Sequence, residues 1–152
     1  MPGFVQDFYQ DKEQKLNDCI GSIFVKDGQK VNVERQTLNN APRVDQSRTS
    51  EQLQRMGKTE AQVQREQAEG RYTVGRNFID SPFGVVLIAS DYATLPIYSS
   101  PEERNQTPIR TYVHELGNIL SSRFGGSGKA FGDRNAEDPD TGQRLEDCVF
   151  NH

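Results

Sequence analysis

The first part of the chain carries apolar residues at helical spacing. Between residues 4 and 20 they form a single stripe, made of Phe4, Val5, Phe8, Tyr9, Leu16, Cys19 and Ile20. This stripe predicts a helix with one buried face, and Gly21 is its expected end. Two apolar runs, 23–25 and 31–33, then flank a segment that contains Asp27-Gly28. An Asp-Gly pair between apolar runs predicts a β-hairpin over residues 22–33.

Residues 49–70 are rich in Gln, Glu and Arg and poor in large apolar side chains. Thr49 and Gln52 have the spacing of a capping box, in which the two side chains cap the start of one helix. Few residues could anchor such a helix to a core, namely Leu53, Met56 and Val63. We therefore expect one solvated, partly mobile helix whose charged side chains form a solvent-exposed face.

The strongest strand signal lies between Tyr72 and Ala89. Residues 72–75 favour a first strand, residues 80–82 a turn, and residues 84–89 a second strand. The second run is continuously apolar, which is typical of a strand covered on both faces. Residues 91–106 contain two prolines and are expected to form an irregular connection.

A second amphipathic helix is predicted from Pro108 to Phe124. Thr107 supplies a helix cap, and Pro108 suits the first helical position. Glycines after Phe124 end the helix and begin a flexible loop, placed at residues 125–143. The rest of the tail is expected to be loop-like, with residues 145–150 returning to the core.

The two faces of this second helix differ in polarity. At about 100° per residue, one arc is apolar and holds Ile109, Tyr112, Val113, Leu116, Ile119, Leu120 and Phe124. The opposite arc holds Thr111, His114, Glu115, Asn118, Ser121 and Ser122. The helix therefore turns His114, Glu115 and Asn118 in one direction. Gly117 costs roughly 1 kcal/mol inside a helix, which calls for a reason such as close approach of another backbone.

Together these elements predict one α+β domain over residues 1–152. A small sheet, chiefly residues 23–33 and 72–89, would pack against the second helix and the N-terminal helix. A hydrophobic fraction of 33% is enough for one modest core. The net charge of −4 and the scattered basic residues argue against a nucleic acid partner. No apolar run is long enough to cross a bilayer, and no signal peptide pattern is visible, which makes the cytoplasm the default expectation.

The two cysteines, Cys19 and Cys148, stand near opposite ends of the chain. A disulfide between them would join the two ends, but two reduced, half-buried thiols are the expectation for a chain with so few cysteines. Neither lies in a Cys-x-x-Cys motif, which excludes a metal site built from cysteines.

The polar face of the second helix contains the run His-Glu-Leu-Gly-Asn-Ile-Leu at residues 114–120. This run resembles the active-site helix of zincin-type metallopeptidases, whose motif is H-E-x-x-H, and the resemblance covers Tyr112 to Leu120. It implies that His114 binds zinc and that Glu115 is the general base that takes a proton from bound water. It also implies that the preceding strand, here residues 85–89, lines a cleft for a peptide or protein substrate.

The sequence departs from the family pattern at Asn118, where the second histidine is expected. Two ligands at positions i and i+4 can reach one zinc ion, but an amide oxygen is a weak, neutral ligand for zinc. Some zincins take a third ligand from an aspartate in a loop after the helix, which implies Asp140 here. The alternatives for that ligand are Asp133, Asp138 and His152. The zinc site implied by the resemblance thus comprises His114, Asn118 and Asp140.

The resemblance implies a divergent zincin-like domain with a degenerate metal motif. Such a domain would be a weak metal-dependent peptidase or hydrolase, or would bind a peptide in the inherited cleft without catalysis. A hypothesis from a different class is a metal-free protein-interaction domain that uses residues 49–70 and the loops as its contact surface. Stoichiometric zinc that is lost when His114 is replaced would favour the first hypothesis over the second.

Overall fold

The computed structural model describes residues 3–23, 25–26, 29–30, 41–78, 84–124 and 141–150. Within these ranges the helices are α1 (Gly3–Ile23), α2 (Ser50–Arg55), α3 (Glu60–Ala68), α4 (Pro101–Phe124) and α5 (Thr141–Phe150). The strands are β1 (Val25–Lys26), β2 (Gln29–Lys30), β3 (Arg43–Asp45), β4 (Gly75–Phe78) and β5 (Val85–Ile88). The predicted α+β class is confirmed, with more helix than strand. No helix in the described part of the chain is long and apolar enough to cross a membrane.

Strand β5 is the centre of a three-stranded sheet with the order β3-β5-β4. It runs parallel to β3 and antiparallel to β4, with Val44 beside Val86 and Gly75 beside Ile88. Val86 and Ile88 face the main core, while Leu87 joins a second apolar cluster on the opposite face. The prediction that this apolar run is covered on both faces is confirmed. The short strand β3 was not predicted.

The predicted hairpin is confirmed where the structure describes it. Strands β1 and β2 pair antiparallel, with Val25 opposite Lys30 and Lys26 opposite Gln29. The predicted extension through residues 31–33 lies outside the described residues. Gly21 does not end the first helix, because α1 continues to Ile23 and Ile23 is itself buried.

The long helix α4 begins at Pro101, seven residues before the predicted start. The Oγ of Ser100 accepts a hydrogen bond from the backbone N–H of Glu103 at 3.1 Å, so Ser100 and Pro101 form the actual cap and first position. Thr107-Pro108 repeats the same signal two turns later. Pro108 lies inside the helix, where it lacks the N–H that would donate to the carbonyl of Arg104. The Oγ1 of Thr107 donates to the Glu103 carbonyl at 2.9 Å.

Residues 49–70 form two helices, so the prediction of one continuous helix is wrong. The capping box of Thr49 and Gln52 is confirmed at the start of α2. Thr59 and Gln62 form a second box at the start of α3, and Gly57, with a φ of 72°, lies in the turn between them. Two ion pairs at the surface link α3 to α2 and to the turn, Arg55 with Glu60 and Lys58 with Glu66, and Arg55 also pairs with Glu51 within α2.

Helix α5 occupies a segment that was predicted as loop, so that prediction is wrong for residues 141–150. The remaining part of the predicted loop, 125–140, lies outside the described residues. Leu145 and Val149 are buried one turn apart, which confirms the predicted return to the core. Helix α5 packs against both α4 and α1.

A disulfide joins Cys19 of α1 to Cys148 of α5, with the two Cα atoms 5.9 Å apart. The expectation of two reduced thiols is therefore wrong. The reason is the unpredicted helix α5, since its buried face carries Cys148 onto α1. The main core lies at the same junction of α1, α4, α5 and the sheet, and its largest fully buried side chains include Leu16, Ile88, Tyr112, Leu116, Ile119 and Leu145.

Two buried tyrosines in this core make the fold sensitive to alkaline pH. The hydroxyls of Tyr9 and Tyr112 are 2.9 Å apart. Burial raises the pKa of Tyr9 to about 12 and also raises the pKa of Tyr112. Both phenols are therefore held neutral while the unfolded phenols ionise from about pH 10.

We expect the free energy of unfolding to fall as the pH rises from about 10 to about 12. A folded pKa raised above the unfolded value gives stability that is complete below pH 10 and is lost as the pH climbs, by about 1 kcal/mol per phenol near pH 11. Urea denaturation across this range measures the loss. The Tyr9→Phe/Tyr112→Phe variant should show a flatter pH dependence, and a slope equal to that of the parent chain would contradict this prediction.

Candidate functional site

A cleft of about 1100 Å³ lies between strand β4 and helix α4. Residues 72–77 form one wall, and the polar face of α4, from Glu102 to Asn118, forms the other. Glu146 of α5 reaches the same space. His114, Glu115 and Asn118 all line this cleft, which confirms the prediction that they point in one direction.

Helix α4 holds these polar groups firmly because its opposite face is anchored in the core. Tyr112, Val113, Leu116, Ile119 and Leu120 are each no more than 3% exposed. Rotation of the helix about its axis would expose this apolar stripe to water, at a cost of about 25 cal/mol per Å². The packing therefore fixes the direction of the cleft-facing residues.

The carboxylate of Glu115 is buried between α4 and β4. The residue is only 7% exposed, and its Oε2 accepts a hydrogen bond from the Nδ2 of Asn77 at 2.7 Å. Gly75 permits the close approach of the strand, because a Cβ there would lie 2.3 Å from the Cγ2 of Thr111. A buried carboxylate with a hydrogen-bond donor is held in one place.

The strand beside the motif is β4, and this corrects the expectation for residues 85–89. Those residues include β5, whose apolar side chains are covered on both faces of the sheet. The cleft is lined by residues 72–77, which include part of the edge strand β4, and by none of residues 85–89.

Glu146 is a site residue that sequence reasoning missed. Its Oε2 lies 3.1 Å from the Nδ1 of His114, and its Oε1 lies 3.5 Å from a guanidinium nitrogen of Arg110. An ionised carboxylate only accepts hydrogen bonds, so the neutral imidazole must carry its proton on Nδ1 to pair with it.

Asn118 contacts the start of helix α5. Its Oδ1 accepts a hydrogen bond from the backbone N–H of Gly142 at 3.1 Å. A Cβ at Gly117 would lie 2.8 Å from the Cα of Gly142. The glycine inside the motif is therefore explained by the close approach of another backbone, which was the reason expected from the sequence.

The described residues provide some of the donors that a zinc ion needs. Atoms bound about 2.0–2.1 Å from a tetrahedral zinc are roughly 3.3 Å apart. The 3.1 Å between the Nδ1 of His114 and the Oε2 of Glu146 suits such a pair once Nδ1 has lost its proton. The Asn118 oxygen already accepts the Gly142 N–H. Within the described ranges no group of three or more His, Cys, Asp or Glu has a metal-binding arrangement.

The predicted third ligand, Asp140, lies outside the described residues, as do Asp133, Asp138 and His152. Asp140 directly precedes Thr141, the first residue of α5, and remains a prediction. His114 and Glu146 fit a divalent cation that receives one more protein ligand.

Comparison of the chain with protein-family models, curated proteins and solved structures gives no match. The function is therefore inferred from the cleft itself.

Proposed function

We propose that the chain is a divergent zincin-like domain that hydrolyses an extended peptide bound between β4 and α4. The observation that carries this proposal is the meeting of three groups in one cleft. The buried Glu115 carboxylate stands beside His114 on α4, and Glu146 reaches His114 from α5. A general base and an oriented imidazole are side chains that can assist hydrolysis by proton transfer.

The position of β4 supports a peptide as the substrate. The backbone N–H of Ala89 donates to the carbonyl of Val74 at 2.7 Å. Val74 and Ala89 are therefore a hydrogen-bonded pair that extends the antiparallel pairing of β4 with β5. By the alternation of such pairs, the backbone groups of Gly75 and Asn77 point away from β5. A sheet edge of this kind can take an added strand, so an extended peptide would find main-chain partners along β4.

Each side chain of the centre has a distinct role in this proposal. Glu115 accepts a proton from the attacking water, and Asn77 keeps its carboxylate in place. Without metal, Glu146 holds His114 in place through its Nδ1. Zinc, when bound, supplies polarisation of the water and of the scissile carbonyl; His114, Glu146 and Asp140 would hold it.

The proposal predicts metal content and peptide hydrolysis that depend on different residues. Protein purified without chelator should contain a divalent metal, measured by elemental analysis, and should cleave a library of unstructured peptides. Glu115→Gln should retain the metal and lower the rate by about 100-fold or more, because it removes the general base. His114→Ala should lose the metal and the activity together.

Glu102→Gln serves as the matched control, since Glu102 is an exposed carboxylate of the same helix at the same cleft. It should leave both the rate and the metal content within about two-fold of the parent, since exposed charges contribute little. Metal-free protein whose melting is unchanged by EDTA, with no cleavage of any peptide, would overturn the proposal. Cleavage that persists in Glu115→Gln would remove the role assigned to that residue.

A further inference from the structure

We infer that Asn118 is a positioning residue, which seats the start of α5 and thereby places Glu146 against His114. The inference draws its importance from the proposed function, because it explains how the second charged group of the centre is held. It concerns the geometry of the chain alone and can be tested without turnover or metal.

The first step is the contact at the start of α5. The first backbone N–H groups of a helix have no partner within that helix, and the N–H of Gly142 is in this position. The Oδ1 of Asn118 accepts it at 3.1 Å. Asn118 therefore caps α5 from a neighbouring helix, where the negative end of its amide dipole also suits the positive end of the helix.

The second step is that α5 has little freedom at this contact. A Cβ at Gly142 would lie 2.3 Å from the carbonyl oxygen of His114 and 2.8 Å from the Oδ1 of Asn118. The backbone of α5 thus lies directly on the turn of α4 that begins at His114 and ends at Asn118. A shift of α5 would break the cap before it broke any long side-chain contact.

The third step is a match in spacing between the two helices. His114 and Asn118 are four residues apart on α4, and Gly142 and Glu146 are four residues apart on α5. Residues at this spacing lie one above the other on one helix face. The hydrogen bonds Asn118–Gly142 and His114–Glu146 therefore join α4 and α5 at two places one helical turn apart, where the two helices run antiparallel. The Asn118–Gly142 contact fixes the position of α5 along the axis of α4, and this position places the Glu146 carboxylate beside His114.

The tautomer of His114 reports whether this placement is maintained. With the Glu146 carboxylate at Nδ1, the neutral ring carries its proton on Nδ1. Without that acceptor, the Nε2–H tautomer, which is the more stable form of a neutral imidazole in water, is no longer disfavoured. Nitrogen-15 NMR of the imidazole at one alkaline pH distinguishes the two forms. The measurement uses chelator-treated full chain, and His152→Gln identifies the signal of the other histidine.

We expect the Nδ1–H tautomer to predominate in the parent chain and the Nε2–H tautomer to predominate in Asn118→Ala. Asn118→Asp should restore the parent tautomer, because a carboxylate also accepts the Gly142 N–H. Glu146→Ala is the direct control: it removes the acceptor at Nδ1 but leaves the Asn118 cap, and should give a changed tautomer with unchanged hydrogen exchange at the Gly142 amide. If Asn118→Ala does not fold, Asn118→Leu, whose side chain has the same branched shape without the oxygen, replaces it.

The inference is overturned if removal of the Asn118 oxygen speeds exchange of the Gly142 amide and leaves the His114 tautomer as in the parent. Asn118 would then cap α5 without placing Glu146. It is also overturned if Asn118→Asp fails to restore the tautomer while its Gly142 amide is protected. Neither result touches the proposed hydrolysis, and absence of hydrolysis would leave the tautomer result standing.

Discussion

Removal of the disulfide between Cys19 and Cys148 is expected to lower the free energy of unfolding by about 4 kcal/mol. The two residues are 129 positions apart in sequence. A link across so long a loop greatly restricts the unfolded chain, and the loss of that restriction favours unfolding. The total stability of a domain is about 5–15 kcal/mol, so the change should be large enough to unfold part of the population at moderate temperature.

The effect should be greatest at α5, because this helix is short and depends on its neighbours. It contains ten residues, fewer than an isolated helix needs to be stable in water. The disulfide ties it to α1, and the Gly142 contact ties it to α4. Hydrogen exchange should therefore show the amides of residues 145–150 losing protection first when the disulfide is reduced.

The measurement is guanidinium denaturation of the parent chain and of Cys19→Ser/Cys148→Ser, each with and without a thiol reductant. The chain has two cysteines, so reductant should destabilise the parent and leave the double variant unchanged. Equal stability of the oxidised and reduced parent chain would refute the expectation. Disulfides persist chiefly in oxidising compartments, so the pairing argues against the cytoplasm that was expected by default.

The elements that sequence reasoning predicted well are those with a strong apolar pattern. Helices α1 and α4 each bury a regular stripe, and strand β5 buries a continuous apolar run. Burial of these side chains is the dominant source of their stability. Their ends were predicted less well. The start of α4 shows why: Ser100-Pro101 and Thr107-Pro108 are both good start signals, and local rules cannot decide which one tertiary packing will use.

The candidate site was predicted only where it lies on one element. His114, Glu115 and Asn118 share a helix face, which the spacing alone reveals. Glu146 lies 32 residues beyond His114 on a helix that the glycines and the proline before it made look like loop. Its one sequence signal was the spacing of Leu145 and Val149, four residues apart, which are both buried. Recognition of that short stripe would have placed Glu146 on a packed helix, but not beside His114.

The substitution Gly142→Ala is expected to destabilise the fold by about 3 kcal/mol, at the upper end of the usual cost of overpacking. The added Cβ would lie 2.3 Å from the backbone oxygen of His114 and 2.8 Å from the Oδ1 of Asn118. Neither atom can yield easily, because the first is main chain and the second holds the cap of α5. The helix must therefore move away from α4 by about 1 Å or more, which opens the contact with Gly117 and draws Glu146 away from His114.

Gly21→Ala is the matched control, since it is the same chemical change in a helix. No described atom lies within 4 Å of a Cβ built at Gly21, so only helix propensity should act there, and alanine should stabilise α1 by up to about 1 kcal/mol. The two substitutions should thus have opposite signs in denaturant unfolding. If Gly142→Ala is neutral or stabilising, α5 does not lie against the His114–Asn118 turn as closely as the structure has it. Glu146 would then lose its place in the proposed centre, because the spacing of the two contacts on α5 depends on that approach.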